Sequence, residues 1–478
     1  MKPYSQRKLS NKESVGLALV FFALVFLFRL PFLTSEPAAM DEPFTLYWAQ
    51  KEVAEILELS FKENNPPLHF LFLHYWMEIF GNSHFSWRFP SLLFSACLIF
   101  GLVFQTSRKS LFAGLSVGIL VLLSNQHIYF SMETRAYSLL AFLTWLAYRI
   151  FSHEGVLKYY LLALVAALLF YTHYLSVWII AAICLGFVID GSVKRQLKHV
   201  ASFLLLFGLL ILPIILPAIE RINHMKSTGT WVQAPVWTQL YGHINLMWNG
   251  FAITLLAFAT GIYFIFRNKS FSEIQKSAWF MPLVWFLVIY CGLYLQSILF
   301  QPVFIPRYLF FASVPLFIFL AMLADAAFAK TRIFSFWLLA LLTGLLPNLD
   351  LSPSNKRDMR KLAAETEALR TGGVPLIICP SHASLSYHVN AYPDLFFSGA
   401  DESEMNMRKR IFPVNSYNEI PDSILKLPAL VYLDAAAAFT LPENGIEQGL
   451  KNNFLLKSQI QIPEIYRVIR VEKNSKSN

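Results

Sequence analysis

Apolar residues gather into eleven runs over the first 350 positions. They lie near 14–33, 87–107, 111–128, 136–151, 157–171, 174–190, 200–219, 249–266, 278–299, 307–328 and 333–347. The first reads SVGLALVFFALVFLFRLPF from residue 14 and is long enough to cross a bilayer. Several of the others are short against the usual length of roughly 20 residues. The stretch 157–190 reads either as one long helix or as two short ones, and charge decides between them. With two helices, every basic cluster falls on one side: Lys2/Arg7/Lys8/Lys12, Arg108/Lys109, Arg149/Lys158, Lys194/Arg195/Lys198, Arg267/Lys269/Lys276 and Lys330/Arg332. The excess of cations in cytoplasmic loops then predicts a tight turn at Thr172-His173-Tyr174. It also predicts a cytoplasmic N-terminus and an external position for everything after Leu349.

Past Leu349 the pattern changes. Val374–Cys379 and Ala429–Leu433 are short apolar runs of the kind that form buried strands. Tyr466–Val471 alternates like a half-exposed strand, and Lys356–Leu369 reads as a helix. The expected architecture is a polytopic α-helical membrane protein with about eleven transmembrane helices over 1–349 and a small C-terminal extracytoplasmic α/β domain over 350–478.

Composition agrees. The chain is 56% hydrophobic and only 14% charged, whereas a soluble protein is roughly a quarter charged. The net charge of +9 sits largely in short loops between apolar runs, so it speaks for membrane orientation rather than for nucleic acid. Cys97, Cys184 and Cys291 lie in apolar runs and only Cys379 lies outside, with no CxxC spacing; neither a disulfide framework nor a thiolate metal site is expected. The N-terminal cations before a long apolar run read as an uncleaved signal-anchor, and Ala38-Ala39-Met40 is a poor cleavage site. Placement in the cell (inner or plasma) membrane follows.

Three outer regions stand out. Loop 34–86 is too long for a simple connector. It holds an amphipathic stretch from Thr45 to Leu57, suited to the membrane surface, and an apolar segment 66–80 that is too short to span and begins at Pro66-Pro67. Loop 220–248 is rich in Trp and Thr, and Trp231, Trp237 and Trp248 suit an aromatic belt. The third region is the tail from 350.

The unusual polar residues fall at the outer ends of the runs. Asp41 and Glu42 follow the first; Asn64-Asn65-Pro66-Pro67-Leu68-His69 lies further along the same loop. Arg88, then Glu133-Thr134-Arg135-Ala136-Tyr137, then His173 and Tyr174, then Pro306-Arg307-Tyr308 follow in order. Ionisable groups at membrane depth are expensive, and their collection on one face points to a shared cavity. Each also has a purely structural reading. Asp41 can cap a surface helix starting at Glu42, with Pro43 in its first turn. His69 can be a satisfied interfacial histidine, Glu133 and Arg135 an ion pair, Arg88 a snorkelling side chain and His173 with Tyr174 the filling of a tight turn. Arg307 can be an interfacial anchor or an anion clamp.

Taken in order, DEPFTLYWA, NNPPLHFLFLHYWMEIFGNSHFSWRFPS, QHIYFSMETRAYSLL, YTHY and IPRYLFFASVPLF resemble bacterial members of the protein O-mannosyltransferase / lipid A aminoarabinose transferase clan. The resemblance covers roughly 15–330 and is nearest to the lipopolysaccharide sugar transferase branch. It implies a GT-C-like fold and inverting transfer of a sugar from a polyprenyl-phosphate donor to a glycan, lipid or protein acceptor on the outer face. It implies that Asp41 acts as base or acceptor ligand with Glu42 beside it, and that Arg135 and Arg307 lie near the donor phosphate. His69, Arg88, Glu133, Tyr137, His173 and Tyr174 are then expected to line the substrate site. Some members of the clan use a divalent metal; no cluster in this sequence demands one, so no metal ligand is assigned and metal dependence stays open.

The residue types fit that chemistry independently. A carboxylate can take the acceptor's proton. A phosphate leaving group wants cationic forks, which arginine supplies. A lipid-linked donor needs no nucleotide-binding loop, and neither GxGxxG nor GxxxxGK[ST] is present. Two other functions compete: a transporter or flippase of a lipid-linked glycan, and a glycan polymerase or ligase of another membrane fold. A transporter would place ionisable groups near helix centres and show repeat symmetry. Here they cluster at outer ends and the halves do not match.

Overall fold

The structure, a computed structural model, describes residues 8–38, 41–228, 232–267, 277–328, 333–352, 358–462 and 466–473. Lys2, Arg7, Ala39, Met40, Trp231, Lys269, Lys276, Lys330, Arg332 and Lys356, used above, lie outside them. Two units emerge from the contacts. One comprises Met1–Leu33, Val53–Trp76 and Phe85–Pro353; the other comprises Thr34–Glu52, Met77–His84 and Ser354–Asn478.

The first unit is built from the apolar helices. Five are long and apolar enough to cross a membrane: Asn11–Phe32, His84–Ser107, Leu197–Arg221, Phe280–Leu299 and Pro306–Phe328. Two more candidates are bent pairs, Leu111–Leu123 with Asn125–Ser131 at 61° and Thr238–Met247 with Phe251–Phe266 at 98°. Four shorter apolar helices, Tyr137–Phe151, Leu157–Thr172, Tyr174–Ile189 and Ile333–Asn348, fall on the remaining expected runs. Length and composition therefore support five to seven crossings, against the eleven expected. The stretch 157–190 is two helices with His173 extended between them, as charge predicts.

Three expected boundaries need correction. The run 111–128 is not one helix: Ser124 is extended and its hydroxyl starts a new helix at Asn125. The run 249–266 is preceded by a separate helix, broken where Asn249 and Gly250 adopt φ of 64° and 141°, a region that Asn and Gly tolerate. The helix beginning at Leu197 does not stop at 219 but continues to Thr228, with Pro213 and Pro217 inside it.

The two breaks are tied together by side chains. Asn249 Nδ2 donates to Leu123 O at 2.6 Å and its Oδ1 accepts from Asn125 N at 2.8 Å. Ser124 Oγ donates to Met247 O at 2.8 Å, and Asn348 Nδ2 to Asn249 O at 2.7 Å. Arg29, fully buried, donates to Ser95 Oγ at 2.6 Å and to Val121 O and Leu122 O at 3.1 and 3.2 Å. It thus satisfies the carbonyl end of the Leu111–Leu123 helix, where a cation also complements the helix dipole.

Close helix packing recurs in one form. A Cβ on Gly101 would meet the Trp145 ring at 2.2 Å, and one on Gly292 the Trp178 ring at 2.2 Å. One turn further on, Gln105 and Gln296 accept the indole N–H of the same tryptophans at 3.0 and 2.7 Å. The missing side chain admits the ring, and the amide satisfies its buried donor.

The second unit holds a five-stranded sheet of order β2-β1-β3-β5-β4. Its strands are β1 Leu376–Cys379, β2 Ile411–Pro413, β3 Ala429–Ala435, β4 Phe454–Ile462 and β5 Tyr466–Lys473. The first three are parallel, and β3, β5 and β4 are antiparallel. β1, β3, β5 and the Met359–Leu369 helix match the sequence reading; β2 and β4 were not expected. Alternation splits the core: Leu376, Ile378, Val431 and Leu433 pack on one face, Ile377, Cys379, Leu430 and Tyr432 on the other. Buried Asp434 at the end of β3 accepts from Arg467 at 2.7 Å, which also reaches Glu447 at 2.7 Å.

Candidate functional site

In the first unit, most of the predicted polar residues converge on one cleft. Asn65, Pro66, His69, Phe70, Arg135, Ala136, Tyr137, Thr172 and His173 line it. Backbone geometry explains the convergence. Pro66-Pro67 ends an extended segment and starts the Leu68–Phe80 helix, with Leu71 N donating to Pro67 O, so His69 lies in its first turn. Met132–Arg135 is irregular, and Arg135 stands just before the Tyr137–Phe151 helix. His173 stands in the turn that charge predicted.

The cationic residues meet aromatic ones. Arg135 lies 5.9 Å from the Tyr137 ring and Arg307 5.4 Å from the Tyr308 ring. His173 links them: its ring is 6.4 Å from Tyr137 and 5.4 Å from Tyr308. Both arginines act electrostatically on His173 and on Tyr137, as does Glu133 on the latter. Arg135 also donates weakly to Asn65 Oδ1 at 3.5 Å. The structure thus gathers Arg135, Arg307, His69, Glu133, Tyr137 and His173 around one cationic cleft. His69 is buried, and neither ring nitrogen makes a hydrogen bond of good geometry. Burial, and then the Arg135 charge, push its imidazole down to about 3, so it is neutral at any ordinary pH.

Three predicted residues have visible architectural contacts. Arg88 is buried and donates to Leu33 O at 3.0 Å, holding the end of the first helix. His173 Nδ1 accepts from Leu175 N at 3.2 Å, which closes the turn. Tyr174 packs on Phe170 at 5.5 Å beside Ile211 and Ile214. Sequence reasoning passed over Arg221, which donates to Lys62 O at 2.6 Å and to Asn64 Oδ1 at 3.4 Å, next to Asn65. Its signal was the Glu220-Arg221 pair at the end of a long apolar run.

Asp41 and Glu42 belong to the second unit. Asp41 occupies the N-cap of the Glu42–Ala49 helix, yet its side chain makes no capping bond; only its carbonyl serves the helix, accepting from Thr45 N and Oγ1 at 3.1 Å each. Capping, the structural reading of this residue, is therefore not what its carboxylate does. Glu42 is buried, at 4% exposure. Among the described residues no group of three or more His, Cys, Asp or Glu is placed to hold a metal ion.

Comparison with known proteins agrees with this picture. Residues 64–219 match the family model described as dolichyl-phosphate-mannose-protein mannosyltransferase, the segment that carries His69, Arg88, Arg135 and His173. No curated protein matches the chain. The crystal structure of ArnT from Cupriavidus metallidurans bound to undecaprenyl phosphate is similar with a TM-score of 0.53 at 13% identity, over 98% of this chain and 99% of that one. The apo state of the same ArnT gives a TM-score of 0.45 at 12% identity, over 96% and 98%. The resemblance read from the ordered motifs holds, and the fold of this chain is that of the similar ArnT structure.

Proposed function

We propose that this protein is an inverting glycosyltransferase. It moves a sugar from a polyprenyl-phosphate carrier to a glycan, lipid or protein acceptor on the outer face of the membrane. The observation that carries the reading is the gathering of Arg135 and Arg307 about His173 and Tyr137 in one cleft. Two guanidinium groups beside a neutral imidazole suit a departing phosphate monoester, which needs charge more than protonation. The undecaprenyl phosphate named for the similar ArnT structure supports the same donor class.

In this reading Asp41 takes the proton of an acceptor hydroxyl. The acceptor oxygen bonds to the anomeric carbon from the face opposite the phosphate. The bond from that carbon to the phosphate oxygen breaks, and the electron pair leaves with the polyprenyl phosphate held by Arg135 and Arg307. Glu42, beside the base, and His69, Arg88, Glu133, Tyr137, His173 and Tyr174 shape the sugar and acceptor sites.

The two broken spans, with Arg29 and His127 buried between helices, are features that transporters also use. Here those breaks are closed by the fold's own donors and acceptors, as described above, which favours the enzyme. Transfer from a radiolabelled polyprenyl-phosphate sugar to the lipid and glycan fraction of a strain lacking the gene tests the reading. Asp41→Asn should lose about 10²–10⁴ in rate, the usual worth of a general base, while inserting normally. Near-normal turnover by Asp41→Asn would remove the base from the mechanism. Orientation is checked separately. A cysteine at Ser403 should react with a membrane-impermeant thiol reagent in intact cells, and one at exposed Gln196 should not.

A further inference from the structure

The tail after Ser354 has no part in the motifs, yet it holds the segment that carries Asp41. The Glu42–Ala49 helix packs on the Ala383–Ala391 helix. On the N-terminal side, Asn390 Nδ2 donates to Ala38 O at 2.7 Å and Arg360 reaches Glu36 O at 3.5 Å. On the C-terminal side, buried Lys51 pairs with Asp401, Tyr47 Oη donates to the same carboxylate at 3.4 Å, and Glu402 N donates to Tyr47 Oη at 3.3 Å. Tyr47 also packs on Phe396 at 6.4 Å. These contacts fix the backbone on both sides of Asp41 to one scaffold. At the start of the scaffold helix stands His382, at its N-cap, as Asp41 stands at the N-cap of the other.

We infer that the C-terminal domain is a positioning device for the catalytic acid, and that His382 is its positioning residue, with its imidazole set against the Asp41 carboxylate. Burial lowers the proton affinity of His382, and the Asp41 charge raises it. The other polar groups around this contact are engaged elsewhere. Glu402 takes the Ser384 hydroxyl, His388 Nε2 lies 2.8 Å from Asn406 Oδ1, and Asp401 holds Lys51. An imidazole N–H beside a carboxylate can donate to it and so limits its rotation. Fixed geometry matters because small misplacements of a reacting group carry large rate costs.

The inference rests on Asp41 being the base, so its test has an arm that does not. In full-length protein labelled with ¹³C-histidine, the His382 resonance should titrate at a lower pH in Asp41→Asn than in the native chain. No change would overturn the pairing, whatever Asp41 does in the reaction. In the transfer assay above, His382→Ala should lower kcat on the order of tenfold to a hundredfold with the donor KM unchanged, and added imidazole should restore part of the rate. A loss in KM alone, or a loss that imidazole does not relieve at an unchanged melting temperature, would overturn the positioning role. If Asp41→Asn keeps turnover while the His382 resonance still shifts, the pairing stands and only the base assignment falls.

Discussion

Two polar clusters lie inside the membrane unit, and they spend their polar groups differently. The knot at the helix breaks joins Ser124, Asn125, Asn249 and Asn348 to backbone carbonyls and amides of three helices, with Arg29 on a fourth. Its bonds are short and point at the protein's own backbone. The cleft around Arg135 and Arg307 is built differently. Arg135 and Arg307 lie 5.9 and 5.4 Å from aromatic rings, Arg135 bonds weakly to Asn65, and the buried His69 makes no hydrogen bond of good geometry. Buried polar groups are normally satisfied. A cluster whose bonds close on the chain's own backbone reads as scaffold; one that sets two guanidinium groups and a buried imidazole about a cleft suits a ligand from outside the chain.

The contrast is broken most directly at Arg307. If the cleft binds a donor phosphate, Arg307→Ala should raise the barrier by about 2–4 kcal/mol, as for loss of one charge-stabilising donor, and leave the melting temperature unchanged. Arg135→Ala should act alike, and Arg307→Lys should keep part of the rate because it keeps the charge but loses the fork. Full activity in purified Arg307→Ala would make that residue an anchor and return the cleft to the scaffold.

The knot should respond in the opposite way. Asn249→Ala removes bonds to Leu123 O, Leu345 O and Asn125 N and leaves an alanine at φ 64°. A buried group left unsatisfied costs about 1–3 kcal/mol, so thermal unfolding should shift down by a loss of that order. Transfer per folded molecule should not change. An Asn249→Ala protein that melts normally but turns over poorly would place the knot in the mechanism and dissolve the distinction.

How far the sequence foretells this depends on which force sets each feature. Apolar length and cation placement locate the helices and split 157–190 correctly, because both reflect the bilayer rather than the tertiary fold. They miss the bends, although Asn249-Gly250 is a turn dipeptide lying in plain view. They cannot decide how many short helices cross, since a helix of 13 to 16 residues satisfies composition without satisfying length. In the tail, β1 and β3 are legible as buried apolar runs, whereas β2 is only three residues long. β4 carries polar Lys457, Ser458, Gln459 and Gln461 on an edge strand. The cleft was legible in outline because its residues cluster at helix ends. The placement of Asp41 in the same unit as the tail was not, since it depends on Asn390, Phe396 and Asp401, some 350 residues away in sequence.

The mildest test compares the two buried histidines. His127 in the scaffold has Ser313 Oγ 2.9 Å from its Nε2, whereas His69 in the cleft is acted on chiefly by burial and the Arg135 charge, with a smaller opposing pull from the Thr134 backbone. A histidine held near 3 in the folded chain and near 6.5 when unfolded binds more protons unfolded throughout the interval between. Its effect is therefore absent above about pH 6.5 and grows as pH falls, by up to about 1.4 kcal/mol of stability lost per pH unit. His69→Gln should flatten the acid side of the stability profile between pH 6.5 and 5 and leave the neutral side as it was. Arg135→Ala should leave the onset near pH 6.5 and raise the pH at which the His69 effect stops growing, since removing the nearby cation lets the folded imidazole protonate more readily. If His69→Gln keeps the native slope, His69 is not the buried neutral group the cleft is built around, and the difference between cleft and knot rests on the arginines alone.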